Sequence, residues 1–203
     1  MKKVLAVLFI LGLLLGLVAP AAANAERYLI EVGRRKVWSD ATWLNFSKSR
    51  VDDQMLKALK SLTHIQRLEL PYNQISDLSP LSSLTTLTYL VLGANQICDL
   101  SPLRSLTNLT YLNLGRNQIS DLSPLRNLTN LTELYLHENQ IDDISALSNL
   151  TRLKDLRLQD NFICDISPLR NLIKLKTLYL SDNQISDWSP VRHVNSVIGR
   201  PRK

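Results

Sequence analysis

Three histidines, two cysteines and six glycines are all that the 203 residues contain of these types, and aromatic residues make up only 6%. Two cysteines cannot staple a small disulfide scaffold. The glycines form no phosphate-cradling loop, and His64, His137 and His193 lie too far apart for a zinc-binding spacing. A strong charge of one sign is lacking too. The formal +6 divides into Lys2 and Lys3, a net +3 over residues 26–50, −3 over residues 51–191 and +4 over residues 192–203. The basic excess therefore sits at the ends, and no positively lined groove for nucleic acid is implied. With 45% hydrophobic and 21% charged residues, the chain suits neither a disordered tail nor a multi-pass membrane protein.

Residues 1–25 read as a secretory signal peptide. Lys2 and Lys3 lead an unbroken apolar run from Val4 to Ala19, Pro20 ends it, and Ala23-Asn24-Ala25 offers small residues for cleavage after Ala25. The run is shorter than the roughly 20 residues that a spanning helix wants. Retention as an uncleaved anchor is the alternative. The expected location is secreted, periplasmic or cell surface, with no stable membrane insertion after cleavage.

What the chain has in abundance is a period. Asn73, Asn95, Asn117, Asn139, Asn161 and Asn183 recur every 22 residues, each opening a phrase close to N-Q-I-S-D-L-S-P-L. Seven apolar columns, starting at Leu59, Leu62, Ile65, Leu68, Leu70, Ile75 and Leu78, keep the same register through six copies. The L-x-L pair predicts a short strand with its leucines on one side. A unit this short cannot bury that face alone, so stacking is implied. Parallel strands then need a crossover, which the S-P-L-x-x-L stretch supplies. Ser79 suits an N-cap and Pro80 the first helical position of one tight 3₁₀-like turn. The Asn amides are expected to satisfy backbone groups where the chain leaves the strand. The Asp column (Asp77, Asp99, Asp121, Asp143, Asp165, Asp187) is expected to accept local N–H groups.

The pattern L-x-x-L-x-x-L-x-x-L-x-L-x-x-N-x-I-x-D-L-S-P, present six times over residues 59–190, resembles the 22-residue internalin-type class of leucine-rich repeat proteins. The resemblance implies an α/β leucine-rich repeat solenoid, curved and right-handed, with a parallel concave sheet and short 3₁₀-like turns on its convex side. It also implies protein recognition, often by secreted or surface proteins of bacteria that contact hosts. Residues 1–203 carry neither the immunoglobulin-like cap nor the wall-sorting motif of the larger internalins, so host invasion is not carried over. The expected organisation is a signal peptide (1–25), an N-terminal cap with a degenerate first repeat at Leu44, Phe46 and Val51 (26–58), six repeats (59–190), and a half-repeat with a basic tail (191–203). Within the caps, residues 52–59 read as a short capped helix, and Tyr28–Val32 with Lys36–Trp38 as a hairpin around Gly33. Val191, Val194 and Val197 continue three apolar columns. The next leucine position is Arg200, where the pattern stops.

Residues alternating with the strand leucines face the concave side. The first column reads Arg67, Tyr89, Tyr111, Glu133, Asp155, Thr177, and the second Glu69, Val91, Asn113, Tyr135, Arg157, Tyr179. Four of the six tyrosines fall here, offering large amphipathic contact area. The candidate partner-binding residues are Tyr89, Tyr111, Glu133, Tyr135, Asp155, Arg157 and Tyr179. The rival explanation is that tyrosine simply suits strands. No metal site is expected. The weak candidate is Glu138, Asp160 and Asp182, carboxylates in successive strands about 4.8 Å apart, as a calcium site. No cofactor is expected. His137 beside Glu138 is the best acid–base pair and reads as an ordinary exposed one, so catalysis is not expected. Cys98 and Cys164 share a column three repeats apart, about 14 Å, too far to bridge one another; part-buried free thiols are expected, with an intermolecular bridge as the alternative.

The expectation is thus a secreted, monomeric, non-catalytic protein that binds a protein partner, and no nucleic acid, through its concave face. The alternative is a structural or envelope-associated repeat protein without one dedicated partner.

Overall fold

A computed structural model describes residues 28–32 and 35–199. Residues 1–27, 33–34 and 200–203, which hold the expected signal peptide, the Gly33 of the expected hairpin and the end of the expected basic tail, lie outside the described residues. Eight short strands form one parallel sheet in chain order: β3 (Trp43–Asn45), β4 (Arg67–Glu69), β5 (Tyr89–Val91), β6 (Tyr111–Asn113), β7 (Glu133–Tyr135), β8 (Asp155–Arg157), β9 (Thr177–Tyr179) and β10 (Ser196–Ile198). Each strand leucine sits directly beside its counterpart, Leu68 on Leu90 and Leu90 on Leu112. One strand cannot cover its leucine, but seven parallel neighbours in register make a continuous core. Of the seven apolar columns only Ile185 and Trp188, in the last full repeat, are not fully buried.

The Asn column is the internal scaffold. Asn139 Nδ2 donates to Leu136 O of its own repeat (3.0 Å) and to Leu114 O of the one before (3.1 Å), while its Oδ1 accepts the Ile119 N–H (3.0 Å). Asn95, Asn117, Asn161 and Asn183 repeat the arrangement. The amide thus pairs polar groups of two repeats, buried at Asn139 and Asn161 and half-buried at Asn95, Asn117 and Asn183.

The crossovers are 3₁₀ turns, three residues long at Ser79–Leu81, Ser101–Leu103, Ser123–Leu125, Ser167–Leu169 and Ser189–Val191. The serine does not cap them as expected. It is the first residue of the turn, with Pro behind it, and the capping group is the Asp two residues earlier. Asp77 Oδ1 accepts the Ser79 N–H at 2.8 Å and Oδ2 accepts its hydroxyl at 2.9 Å. Asp121, Asp143, Asp165 and Asp187 do the same.

A further column was not legible. Tyr72, Ala94, Arg116, Glu138, Asp160 and Asp182 all have left-handed backbone, with φ between 53° and 60°. None is glycine, so each conformation carries a cost. Stacking imposes it: the N–H of each of the first five donates to a carbonyl of the next repeat, as in Ala94 to Gly115 O at 2.8 Å.

The ends depart from the 22-residue spacing. At the N-terminal side, β1 (Leu29–Val32) and β2 (Arg35–Trp38) pair antiparallel as the expected hairpin. Helix α1 (Asp53–Leu56), capped by Asp52 Oδ1 on the Met55 N–H, runs on into a 3₁₀ turn, Lys57–Ser61. Trp43 pairs with Arg67, a spacing of 24, because this longer helical stretch replaces a three-residue turn. At the other end the reading of Val197 and Arg200 is corrected. Val197 lies beside Leu178, so it takes the strand leucine's place, which the strict period assigns to Arg200. Val191 and Val194 are buried as expected, but the three-residue turn that normally follows them is omitted, and the chain enters β10 directly.

Candidate functional site

The concave side chains stand on strands whose other face is locked by leucine, so their spacing is fixed by the sheet. They touch one another in one line. The Arg67 guanidinium lies 3.8 Å from the Tyr89 ring centroid. Tyr89 stacks on Tyr111 with centroids 4.1 Å apart and planes 11° from parallel. Tyr111 meets Tyr135 edge-on at 5.3 Å and 76°. Arg157 then lies between Tyr135 (4.3 Å) and Tyr179 (4.9 Å). The line begins in the first concave column and moves to the second between Tyr111 and Tyr135. This shift is why no single column displays it.

Acids hold the line in place. The Tyr135 hydroxyl donates to Glu133 Oε2 at 2.9 Å, and Arg157 pairs with Asp155 at 3.4 Å. Arg67 pairs with Glu69 at 2.7 Å, whose other oxygen accepts from Asn45 Nδ2 at 2.8 Å. Burial, with Glu133 as hydrogen-bond acceptor, pushes the Tyr135 phenol up to about 12. Burial and the stacked Tyr89 push that of Tyr111 well above the ordinary range. Both phenols stay neutral at physiological pH. All seven candidate residues from the sequence belong to this surface and are half-buried. Arg67 and Glu69 extend it. The sequence places both in the columns, and the alternation of a guanidinium with rings was the signal for including them.

Beyond the line, Gly93 and Gly115 leave a notch of about 150 Å³ edged by Tyr72, Arg116 and His137. A Cβ on Gly115 would lie 2.1 Å from His137 Cε1, so the imidazole rests flat on the bare glycine. His137 is therefore half-buried and not the exposed residue expected, and burial lowers its pKa. Its Nδ1 and the neighbouring Gln159 Oε1 are buried without a hydrogen-bond partner. Glu138 is engaged by Arg116 Nε at 2.8 Å. Among the described residues no three His, Cys, Asp or Glu side chains gather closely enough to hold a metal ion. Cys98 and Cys164 are free, as expected, but exposed and not part-buried. Phe162, where the other repeats have Gln, is exposed. Among the described residues no helix is long and apolar enough to cross a membrane.

Stacked repeats with an extended concave sheet define a leucine-rich repeat solenoid, an architecture whose curvature creates binding surfaces. A family model described as leucine-rich repeats in two copies matches residues 63–105, 107–149 and 151–193. Among solved structures, an internalin (inlF) from Listeria monocytogenes is 39% identical with a TM-score of 0.75, over 80% of this chain and 49% of its own. This chain thus spans about half the length of that relative. Internalin C2 of the same organism is 38% identical with a TM-score of 0.63, over 77% of this chain and 79% of its own. A leucine-rich repeat protein of Leptospira interrogans is 26% identical with a TM-score of 0.64, over 69% and 38%. Comparison with curated proteins returned no match. The chain belongs to the leucine-rich repeat family, in its internalin-type branch.

Proposed function

We propose that this is an exported, non-catalytic protein that captures a protein partner on its concave face. The observation that carries the reading is the unbroken line Arg67–Tyr89–Tyr111–Tyr135–Arg157–Tyr179. Tyrosine and arginine are the side chains that dominate binding energy where proteins meet, and fixed rings lose little entropy on docking. Neighbouring acids keep the guanidinium groups aligned, so the surface is organised before a partner arrives. The signal-like leader supports export, and the acids on the same face favour a partner whose contact surface has basic groups at its rim.

Replacing Tyr111, Tyr135 and Tyr179 with Ala tests the reading. Capture of a partner from the native environment should be lost while circular dichroism and cooperative unfolding persist. Capture that survives the triple substitution would favour a structural or envelope-associated role instead.

A further inference from the structure

A cavity lies away from the concave line, between the β1–β2 hairpin and the loop that follows β3. It has a volume of about 540 Å³. Three cations line it, Arg35, Lys48 and Arg50, with the apolar side chains of Phe46, Val51 and Met55 beside them and no carboxylate among its described lining residues. Arg35 Nη1 donates to Asn45 O at 3.0 Å and its guanidinium faces the Phe46 ring at 5.4 Å. The Lys48 ammonium faces the Tyr72 ring at 5.2 Å. Neither contact neutralises charge, and none of the three cations is ion-paired among the described residues.

The backbone gives a second, independent observation. Lys48 (φ 52°) is the counterpart of Tyr72 and shares the left-handed conformation of that column. Arg50 (φ 54°) is not. It stands where the next repeat has Gln74, and no other described repeat has a second left-handed residue at that place. A non-glycine residue held there without help from the repeat is strain of the kind that clusters at ligand clamps. It adds a third positive side chain to the lining of the cavity, where Arg50 makes no side-chain hydrogen bond among the described residues.

We propose that this cavity binds a soluble phosphomonoester whose organic group is apolar. Three cations on the lining of one cavity, none of them ion-paired among the described residues, match a phosphomonoester, which carries about −1.5 to −2 at pH 7, better than a carboxylate with a single charge. Arginine's planar fork suits phosphate oxygens in particular. A bare ion would occupy only part of the volume, and the remainder is lined by the half-buried Met55 over the buried Phe46 and Val51, which suits an apolar substituent. The site is separate from the concave line and does not depend on the partner-capture reading.

Calorimetric titration with phenyl phosphate tests it. The expected result is one saturable site, with inorganic phosphate binding more weakly. Arg50→Gly and Lys48→Gly should each weaken phenyl phosphate by about tenfold or more, the loss of one charge-assisted contact. Both substitutions keep the left-handed backbone accessible, so unfolding does not confuse the outcome, and thermal melts verify this. Lys174→Ala, an exposed cation far along the solenoid, should change nothing. Absence of binding at millimolar phenyl phosphate, or unchanged affinity in the Arg50→Gly, Lys48→Gly double variant, would overturn the proposal. Equal affinity for inorganic phosphate would overturn its apolar half. Sedimentation with phosphatidic acid vesicles without phenyl phosphate binding would assign the charges to a membrane surface, and the soluble-ligand site would fall.

Discussion

The stack of Asn95, Asn117, Asn139, Asn161 and Asn183 inside the solenoid and the line of rings and guanidinium groups on its concave face use the same 22-residue period in opposite ways. Inside, every repeat places the same amide on the same carbonyls, and substitution of any member should be felt by two repeats at once. Outside, the contact changes along the line: a cation over a ring, a parallel stack, an edge contact, then a cation shared by two rings. Identity under the period supplies stability, and departure from it supplies an individual surface. The two regions should therefore respond differently to single substitutions.

The largest effect is expected in the interior. Asn139→Ala leaves the Ile119 N–H without a partner where water does not enter, and takes one of two asparagine donors from each of the Leu114 and Leu136 carbonyls, which keep Asn117 and Asn161. The loss should be about 2–4 kcal/mol in a urea unfolding experiment. A loss below about 1 kcal/mol would mean that the amides decorate a stack held by leucine alone. Tyr111→Ala on the concave face should cost less, about 1–2 kcal/mol, because two aromatic contacts go but no buried polar group is orphaned. Equal costs at the two positions would erase the contrast between the regions.

Smaller again is the effect of Gly115→Ala. Its Cβ displaces the His137 ring, which swings outward at a cost of about 1 kcal/mol. Combining it with His137→Ala should recover most of that cost, since the clash needs both side chains. Two independent penalties in the double variant would show that Gly115 matters for a reason other than the imbalance between ring and backbone.

The sequence displayed the interior almost completely, since periodic residues announce their own environment. Leu68, Leu90 and Leu112 can only be neighbours once the spacing is seen, and the Asn and Asp columns follow from the hydrogen-bonding capacity of short side chains. Where the period is broken, pattern reading failed. Val197 was assigned three residues too early in the repeat because nothing in its own identity announces that a turn has been left out before β10. The left-handed column was hidden because Tyr72, Arg116 and Glu138 have no intrinsic preference for that conformation and take it only under the constraint of stacking. On the concave face the participants were legible, but not their contacts. A step from the first column to the second at Tyr135 depends on side-chain reach, which periodicity does not encode.

The smallest effect belongs to the convex turns and separates them from the neutral amides inside. Hydrogen bonds from the N–H and hydroxyl of the following serine hold the carboxyls of Asp99, Asp165 and Asp187 below the ordinary carboxylate value. A depressed folded-state pKa means that the unfolded chain takes up protons first. The contribution to stability is thus present above the unfolded value of 3.8 and is lost as pH falls through the lower folded values. The asparagines do not titrate, so acid should loosen the turns while leaving the interior scaffold bonded. Melting temperature should be level from neutral pH down to about 5 and decline below about 4, near the unfolded carboxyl's own titration. In an Asp99→Asn, Asp165→Asn, Asp187→Asn variant the decline should be shallower, because an amide oxygen still accepts the serine N–H but has no charge to lose. An acid limb of unchanged steepness in that variant would place the pH sensitivity elsewhere and detach these turns from the stability that the repeat distributes along the chain.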